Sequence, residues 1–496
     1  SWYDILTVPA LAIYNMVRPD KESKTIFRYA FTDLNAKITH QFRPGNSMHF
    51  MLYYGDDYLK GGTEENYDNV TDEVNQDYER TISRLNWGNI VASAGWNYNF
   101  TDKLFGEFTG AFTRYKSKLS NEFKEFQSGK EGVIYDFSKS YTTENCISDW
   151  LARADLEYHP VAGHKLSFGA NYTFHSFLPQ KNYGSLSSDE QKINIRDAYE
   201  KLHAHQAAVY AGYDWEISKQ VRLNAGIHMG LFAVDGSVKY SPDPRLSVRW
   251  RPVESLSLKA AYSRMSQYIS QVTESAISLP TDQWIPISAK MKPQNSDKVA
   301  VSANYDINGK FTLSIEAYYK WLHNILDYRD DYYLLPVSAS WTDKLCSGKG
   351  TAKGIDFMIS KNIGKVTGHV SYSLLWADRT FKKKNGGITF PARFDNRHKI
   401  NITLQWKIND KWDFNCAWTG MSGNRFTLYS QDYEMLEGPD MPYFNGIGYE
   451  GGYLDYTEGL NSYRLPFYHR LDVAFNRHTK HGFWTFSLYN ACLVYT

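Results

Sequence analysis

The side chains best placed to do chemistry in this chain are carboxylates and tyrosines gathered in polar segments, and the chemistry they suit is binding. One segment carries Glu64, Glu65, Asp68, Asp72, Glu73, Asp77 and Glu79. A second reads Asp327-Tyr328-Arg329-Asp330-Asp331-Tyr332-Tyr333, and a third offers Tyr433, Tyr443, Phe444, Tyr449, Tyr453 and Tyr456 among glycines. Tyrosine gives a large contact area at low conformational cost, and its ring face can stack on a sugar or an aromatic chelator. The candidate ligand contacts are therefore Asp330, Asp331, Tyr332, Tyr333, Tyr433, Tyr443, Tyr449 and Tyr453, joined by Trp284 from a further polar segment. A plain solvated loop is the competing reading for each of them. The acidic segments argue against strongly anionic ligands through like-charge repulsion.

Covalent chemistry finds no support. The chain has no GxSxG, no HExxH and no phosphate-binding glycine loop, so no enzyme is expected. His203 and His205 share one face and could hold a metal, but their apolar-facing phase near a strand start reads better as a pair of interface histidines. His228 falls on the opposite, wet phase with Asn224. Cys146, Cys346, Cys416 and Cys492 are far apart and form no CxxC, hence no zinc site and no disulfide framework; Cys146 and Cys346 both fall in expected loops, where they could pair. Neither metal nor cofactor is expected.

The elements that must position these residues are strands. The chain has 496 residues, with 55 basic and 54 acidic side chains, which excludes the basic footprint of a nucleic-acid partner. Aromatic residues make up 16% of it, yet its mean hydropathy is −0.52. No stretch approaches the ~18 apolar residues of a membrane-crossing helix. A transmembrane barrel reconciles these facts, because only alternate residues of each strand face lipid and the interior is polar.

Period-2 alternation recurs along the chain. Trp150, Ala152, Ala154, Leu156 and Tyr158 alternate with Arg153, Asp155, Glu157 and His159. Phe311, Leu313, Ile315, Ala317, Tyr319 and Trp321 do so with Thr312, Ser314, Glu316 and Lys320, and Leu471, Val473 and Phe475 with Asp472 and Asn476. Tight turns are expected at Pro44-Gly45-Asn46, Thr101-Asp102-Lys103, Val161-Ala162-Gly163, Ser218-Lys219, Pro252 to Ser255, Asn308-Gly309, Ile363-Gly364, Asn409-Asp410 and Thr479-Lys480. Between these hairpins the connections are long and polar, at 59–85, 118–147, 178–200, 271–295, 329–348, 381–396 and 426–466, with a short one near Asp235-Gly236. Short connections alternating with long ones are the rhythm of an outer-membrane barrel of about eighteen strands, rather than the ~40–50-residue repeat of a propeller. Trp215, Trp250, Trp406 and Trp412 lie beside short turns, and Trp87, Trp150 and Trp321 toward the long loops, as two aromatic girdles require.

Several of these segments resemble TonB-dependent receptors, especially the plug-and-barrel receptors of Bacteroidetes-type bacteria. Ser241 to Val248 (SPDPRLSV) and Leu258 to Arg264 (LKAAYSR) look like one hairpin of that family. Ile277 to Pro286, Lys292 to Asp297, Tyr318 to Asn324, Gly350 to Asp356 and Gly368 to Ser373 continue in the family's order. Phe390 to Asn401 (FPARFDNRHKIN) and Arg464 to Asp472 (RLPFYHRLD) are the most specific, and Tyr489-Asn490-Ala491 resembles a penultimate hairpin. Arg393, Asp395, Arg397, Arg464, Arg470 and Asp472 gather there, where charge pairs can fix strand register.

The resemblance implies an all-β, antiparallel up-and-down transmembrane barrel of about 22 strands around a plugged interior, of which residues 1–496 supply a single domain of about eighteen. The plug and first strands would precede Ser1, and a last hairpin would follow Thr496. It implies the cell outer membrane of a Gram-negative bacterium, contact with outer-membrane lipid, and active uptake of a scarce nutrient (siderophore, vitamin, glycan or peptide). It also implies coupling of the absent plug to the TonB–ExbB–ExbD system, and in some members a surface lipoprotein partner. A passive, substrate-selective porin of about eighteen strands is the alternative, and a barrel lipase a third class, for which the nucleophile motif is missing.

Overall fold

The computed structural model describes residues 3–18, 22–68, 74–130, 132–188, 192–197, 201–272, 283–330, 341–434, 453–457, 459–480 and 482–492. The apolar segment at its start is a helix, α1 (Tyr3–Val17). It is tied to the first strand by a reciprocal pair: Asn15 Nδ2 donates to the Thr25 carbonyl at 2.9 Å, and the Thr25 amide donates to Asn15 Oδ1 at 3.1 Å.

Strands then follow one another up and down. The first nine are β1 (Ser23–Arg43), β2 (Asn46–Asp68), β3 (Val74–Thr101), β4 (Leu104–Gly129), β5 (Gly132–Tyr158), β6 (His164–Ser187), β7 (Leu202–Glu216), β8 (Val221–Val234) and β9 (Ser237–Val253). The rest are β10 (Leu256–Gln267), β11 (Gln294–Ile307), β12 (Phe311–Tyr328), β13 (Leu345–Lys361), β14 (Val366–Phe381), β15 (His398–Asn409), β16 (Trp412–Met421), β17 (Tyr468–Thr479) and β18 (Gly482–Leu488). Each pairs antiparallel with the next, within a sheet that counts 20 strands among the described residues once the short flanking strands Lys192–Asp197 and Phe390–Pro391 are included. Among those residues β1 pairs only with β2, and β18 only with β17. The all-β, antiparallel up-and-down expectation holds.

The expected tight turns all fall between consecutive strands. The Asp235-Gly236 turn has φ of 48° and 71°, a left-handed pair that only such residues adopt cheaply and that matches the strand twist of a two-residue hairpin. The opposite connections correct the sequence reading. Segments 59–85, 118–147 and 178–200 are mostly strand: β2 runs to Asp68, β3 starts at Val74, and only Lys130 and residue 131 separate β4 from β5. With 28 residues, β3 would extend roughly 90 Å at ~3.3 Å per residue, whereas ~9–11 tilted residues cross a bilayer. The upper part of β2–β6 is therefore a tall polar wall. Cross-strand polar pairs hold it: Arg84–Glu122 at 2.5 Å, Lys118–Glu144 at 3.5 Å, Ser120–Thr142 at 2.9 Å and Ser140–Ser185 at 2.7 Å.

Below that wall the two faces of the sheet differ. Trp96, Phe108, Trp150, Phe168, Val209, Leu246, Val301, Ile315 and Phe357 lie on the apolar face, and Trp150 is 61% exposed. The opposite face carries ion pairs such as Arg153–Asp155 (2.5 Å), Arg222–Asp214 (2.5 Å) and Lys298–Glu316 (3.2 Å). An apolar outer band over a polar interior is the pattern of a membrane barrel wall. His203 stacks on Phe174 at 5.5 Å and His205 Nδ1 lies 2.7 Å from Tyr172 Oη, as interface histidines would. Cys146 and Cys346 are both free, and both lie in strands rather than loops, which removes the suggested pairing.

Candidate functional site

The buried apolar core gathers at the end of the sheet away from the tight turns. It begins with the connection between β10 and β11, which the sequence marks as a loop but which contains a hairpin of Ile269–Val272 and Gln283–Pro286. Apolar Tyr268, Ile269 and Val272, and the apolar run Ile285-Pro286-Ile287, were the available signal for it. The hairpin folds inward as a strap. On one side Tyr268 and Ile287 pack with Phe177, Ala204, Phe232 and Val234 from β6, β7 and β8. The Tyr268 ring stacks on Phe232 at 4.9 Å with planes 6° apart, and the Ile287 amide donates to the Tyr268 carbonyl at 2.8 Å. On the other side Val272 and Ile285 pack with Tyr328 and Leu345 from β12 and β13. Apolar groups on both faces let one short hairpin join two separate stretches of wall.

Polar groups fix the strap further. Lys239 Nζ donates to the Ala289 carbonyl at 2.9 Å, and Asn324 Nδ2, from a residue at φ 55°, donates to the Pro293 carbonyl at 3.0 Å. Beneath it lies a buried polar patch on β8–β10. Asp243 Oδ1 accepts from Ser266 Oγ at 2.7 Å, and His228 Nδ1 lies 3.6 Å from Asp243 Oδ2. The hydroxyls of Ser241, Tyr268 and Ser288 are buried there as well. Burial pushes the Tyr268 phenol up from its ordinary value. Gly230 leaves the space that the Tyr268 hydroxyl occupies; a Cβ there would press on it, so one of the two would have to shift.

A second centre lies beside the first, where FPARFDNRHKIN meets RLPFYHRLD. Asp395 is fully buried. Its carboxylate accepts from Arg397 (3.1 and 3.3 Å), from Arg464 (2.9 Å) and from the Ala377 amide (3.1 Å). Arg464 also donates to the Asp395 carbonyl at 2.6 Å and to the Gly423 carbonyl at 3.0 Å. Burial alone would raise the Asp395 pKa, but Arg397, Arg464 and the amide outweigh it and hold the carboxyl below the usual carboxylate range. Arg470 and Asp472 form a separate pair at 2.8 Å. The expected register-fixing role suits this knot, which clamps the β14–β15 connection to the β16–β17 connection.

The sequence-derived contacts distribute over these stems. Trp284 is half-buried in the strap opposite Gln271. Asp330 is an internal acceptor: its Oδ2 takes the Asn385 amide at 2.6 Å, and its own amide donates to the Lys383 carbonyl at 3.2 Å. Tyr433 and Tyr453 belong to a hairpin of Tyr429–Glu434 and Tyr453–Thr457, in which Tyr433 faces Leu454 and Tyr453 faces Glu434 across the strands. Asp331, Tyr332, Tyr333, Tyr443 and Tyr449 lie outside the described residues. What unites the stems is the core. Tyr328 and Leu345 pack on the strap, while Cys346, Phe381 and Phe390 pack with Leu460 from the last connection. Three candidate loops thus rise from neighbouring apolar clusters, joined through the adjacent residues Leu345 and Cys346 of β13.

The buried titratable groups of this region are held by neighbouring side chains. Both ring nitrogens of buried His175 are engaged, by Asp149 Oδ1 at 2.7 Å and Gln206 Oε1 at 3.3 Å. Asp395 is saturated by its arginines. Among the described residues no cluster of three or more His, Cys, Asp or Glu side chains could hold a metal ion.

Comparison with known proteins follows the same line. The family model described as TonB dependent receptor-like, beta-barrel matches residues 25–491. The ferric-catecholate import receptor Fiu of E. coli K12, in its closed form, has a TM-score of 0.55 at 10% identity, covering 95% of this chain and 76% of that one. The ferripyoverdine receptor of the Pseudomonas aeruginosa outer membrane, bound to ferripyoverdine, gives 0.54 at 9%, covering 95% and 67%. The siderophore receptor PiuA of Acinetobacter baumannii gives 0.53 at 9%, covering 92% and 75%. At such identities the likeness is one of fold. No curated protein sequence matches the chain.

Proposed function

Because the chain belongs to the TonB-dependent receptor-like β-barrel family, we propose that it walls the pore of an outer-membrane receptor that imports a scarce nutrient actively and on ligand binding. The match over residues 25–491 carries this reading. The apolar outer face and ion-paired inner face of the sheet agree with it, as does a strap folded across the inner face. The ligand is a siderophore, vitamin, glycan or peptide, held above the strap by the loops rooted in the shared core, with Trp284 and the tyrosines at 433–453 as contacts. The order of the FPARFDNRHKIN and RLPFYHRLD segments favours the Bacteroidetes-type branch. A plug within the barrel would couple to TonB–ExbB–ExbD, and a surface lipoprotein is a candidate partner for the tall wall of β2–β6.

Uptake by the full-length protein in its own host tests the proposal. Radiolabelled ferric chelates, cobalamin, oligosaccharides and peptides are offered to cells with and without TonB. One of them is expected to accumulate only when the receptor and TonB are both present. Uptake that continues at full rate without TonB makes the protein a passive porin and ends the proposal.

A further inference from the structure

We propose that the apolar face of β3–β6 carries a specific site for a lipid of net negative charge, with one acyl chain in a groove and the anionic phosphate head on Arg114 and Lys116 above it. The inference rests on the membrane-wall reading but not on which solute passes through the pore.

The groove is a shallow hollow of about 540 Å³. Its floor is a row of cross-strand neighbours, Ala94, Gly110 and Ala152, followed by Tyr172. A Cβ on Gly110 would meet nothing within 4 Å, so the space above the floor is open. Aromatic layers bound it along the strands: Trp96 and Phe108, 5.4 Å apart, on the tight-turn side, and Phe112 and Trp150, 4.7 Å apart, on the other. A slot of apolar walls between two ring layers, opening onto hydrocarbon, fits a methylene chain.

What lies beyond the upper rings identifies the head. Along β4 the residues of this face are Phe108, Gly110 and Phe112, and then Arg114, Lys116 and Lys118. Side chains on one face repeat every ~7 Å, so the first cation sits one layer, and the second two layers, above the Phe112–Trp150 pair. Lys118 is matched by Glu144 at 3.5 Å. Asp56 accepts from Asn86 at 3.3 Å. Among the described residues Arg114 and Lys116 have no ion pair, and their direct cross-strand neighbours are Ile90, Ser148, Gly88 and Cys146. Two unmatched cations at the hydrocarbon boundary attract anionic lipid heads. Arginine adds a fork that fits phosphate oxygens in pairs.

Native mass spectrometry of the full-length receptor in detergent tests this, with phosphatidylglycerol and phosphatidylcholine of identical acyl chains as probes. Phosphatidylglycerol is expected to bind first and roughly tenfold more tightly. Arg114→Gln with Lys116→Gln, both above the Phe112–Trp150 layer, should abolish that preference. Gly110→Leu should fill the groove and weaken both lipids. Equal affinities in the native receptor, or a preference untouched by the double substitution, overturns the site. Failure to retain either lipid would overturn the membrane reading with it, whereas the uptake experiment is blind to this site.

Discussion

At the scale of single residues, Asp395 shows how much one side chain can organise. Its charge is enclosed by two guanidinium groups and an amide, so the pair energy is realised in a medium of low polarity. Asp395→Ala would leave Arg397 and Arg464 with uncompensated charge, and we expect a local loss of about 3–5 kcal/mol. Proteolysis should then cut within 390–397 and 459–467, where the native protein resists. The acid response follows from the same contacts. A carboxyl held below its ordinary range contributes stability above the unfolded value of about 3.9, and loses it as pH falls through the folded value. Cleavage should therefore be absent at pH 7 and at pH 5 and appear only below about pH 4. Cleavage at pH 5 would show that the arginines do not hold the charge.

At the scale of elements, the strap between β10 and β11 depends on one ring in one notch. Tyr268→Ala removes the surface that stacks on Phe232 and touches Ile287, a loss of about 3–5 kcal/mol for a buried aromatic. Hydrogen exchange should rise across 268–272 and 283–291 and stay unchanged in β15 and β16; no rise in the strap would mean that the Val272–Ile285 side holds it alone. How legible each element was follows from what water does to it. Where one face meets lipid and the other the interior, as in 150–158 or 311–321, alternation is written in the residues. The tight turns were equally plain, since Asn, Asp and Gly supply the left-handed backbone they need. The upper halves of β2–β6 carry polar residues on both faces, with only a few buried apolar ones such as Ile82 and Phe177 between them. Their sequence looks like loop, and only cross-strand partners such as Arg84–Glu122, which local pattern cannot reveal, keep them extended. The candidate site was legible as a set of loops, but not as a shared base. Phe177, Phe232, Tyr268 and Ile287 are far apart in sequence, and the value of residue 230 as glycine appears only when Tyr268 arrives.

At the scale of the whole molecule, the decisive feature is the pair of edges. β1 is hydrogen-bonded to β2 alone and β18 to β17 alone among the described residues. A free edge presents a row of unpaired N–H and C=O groups, and each one placed in hydrocarbon costs several kcal/mol. A 21-residue edge strand such as β1 cannot cross a bilayer in that state. Either the edges pair with each other, or further strands of the same protein come between them. The second arrangement is the one to put to the test. Residues 1–496 refolded by themselves into detergent should then migrate alike on a gel with and without heating. The full-length protein should run faster unheated, as a compact barrel does. A heat-sensitive fast band from residues 1–496 alone would show that their own edges meet. It would also move the balance from an energised receptor toward a self-contained pore, the one outcome in which the wall needs no gate.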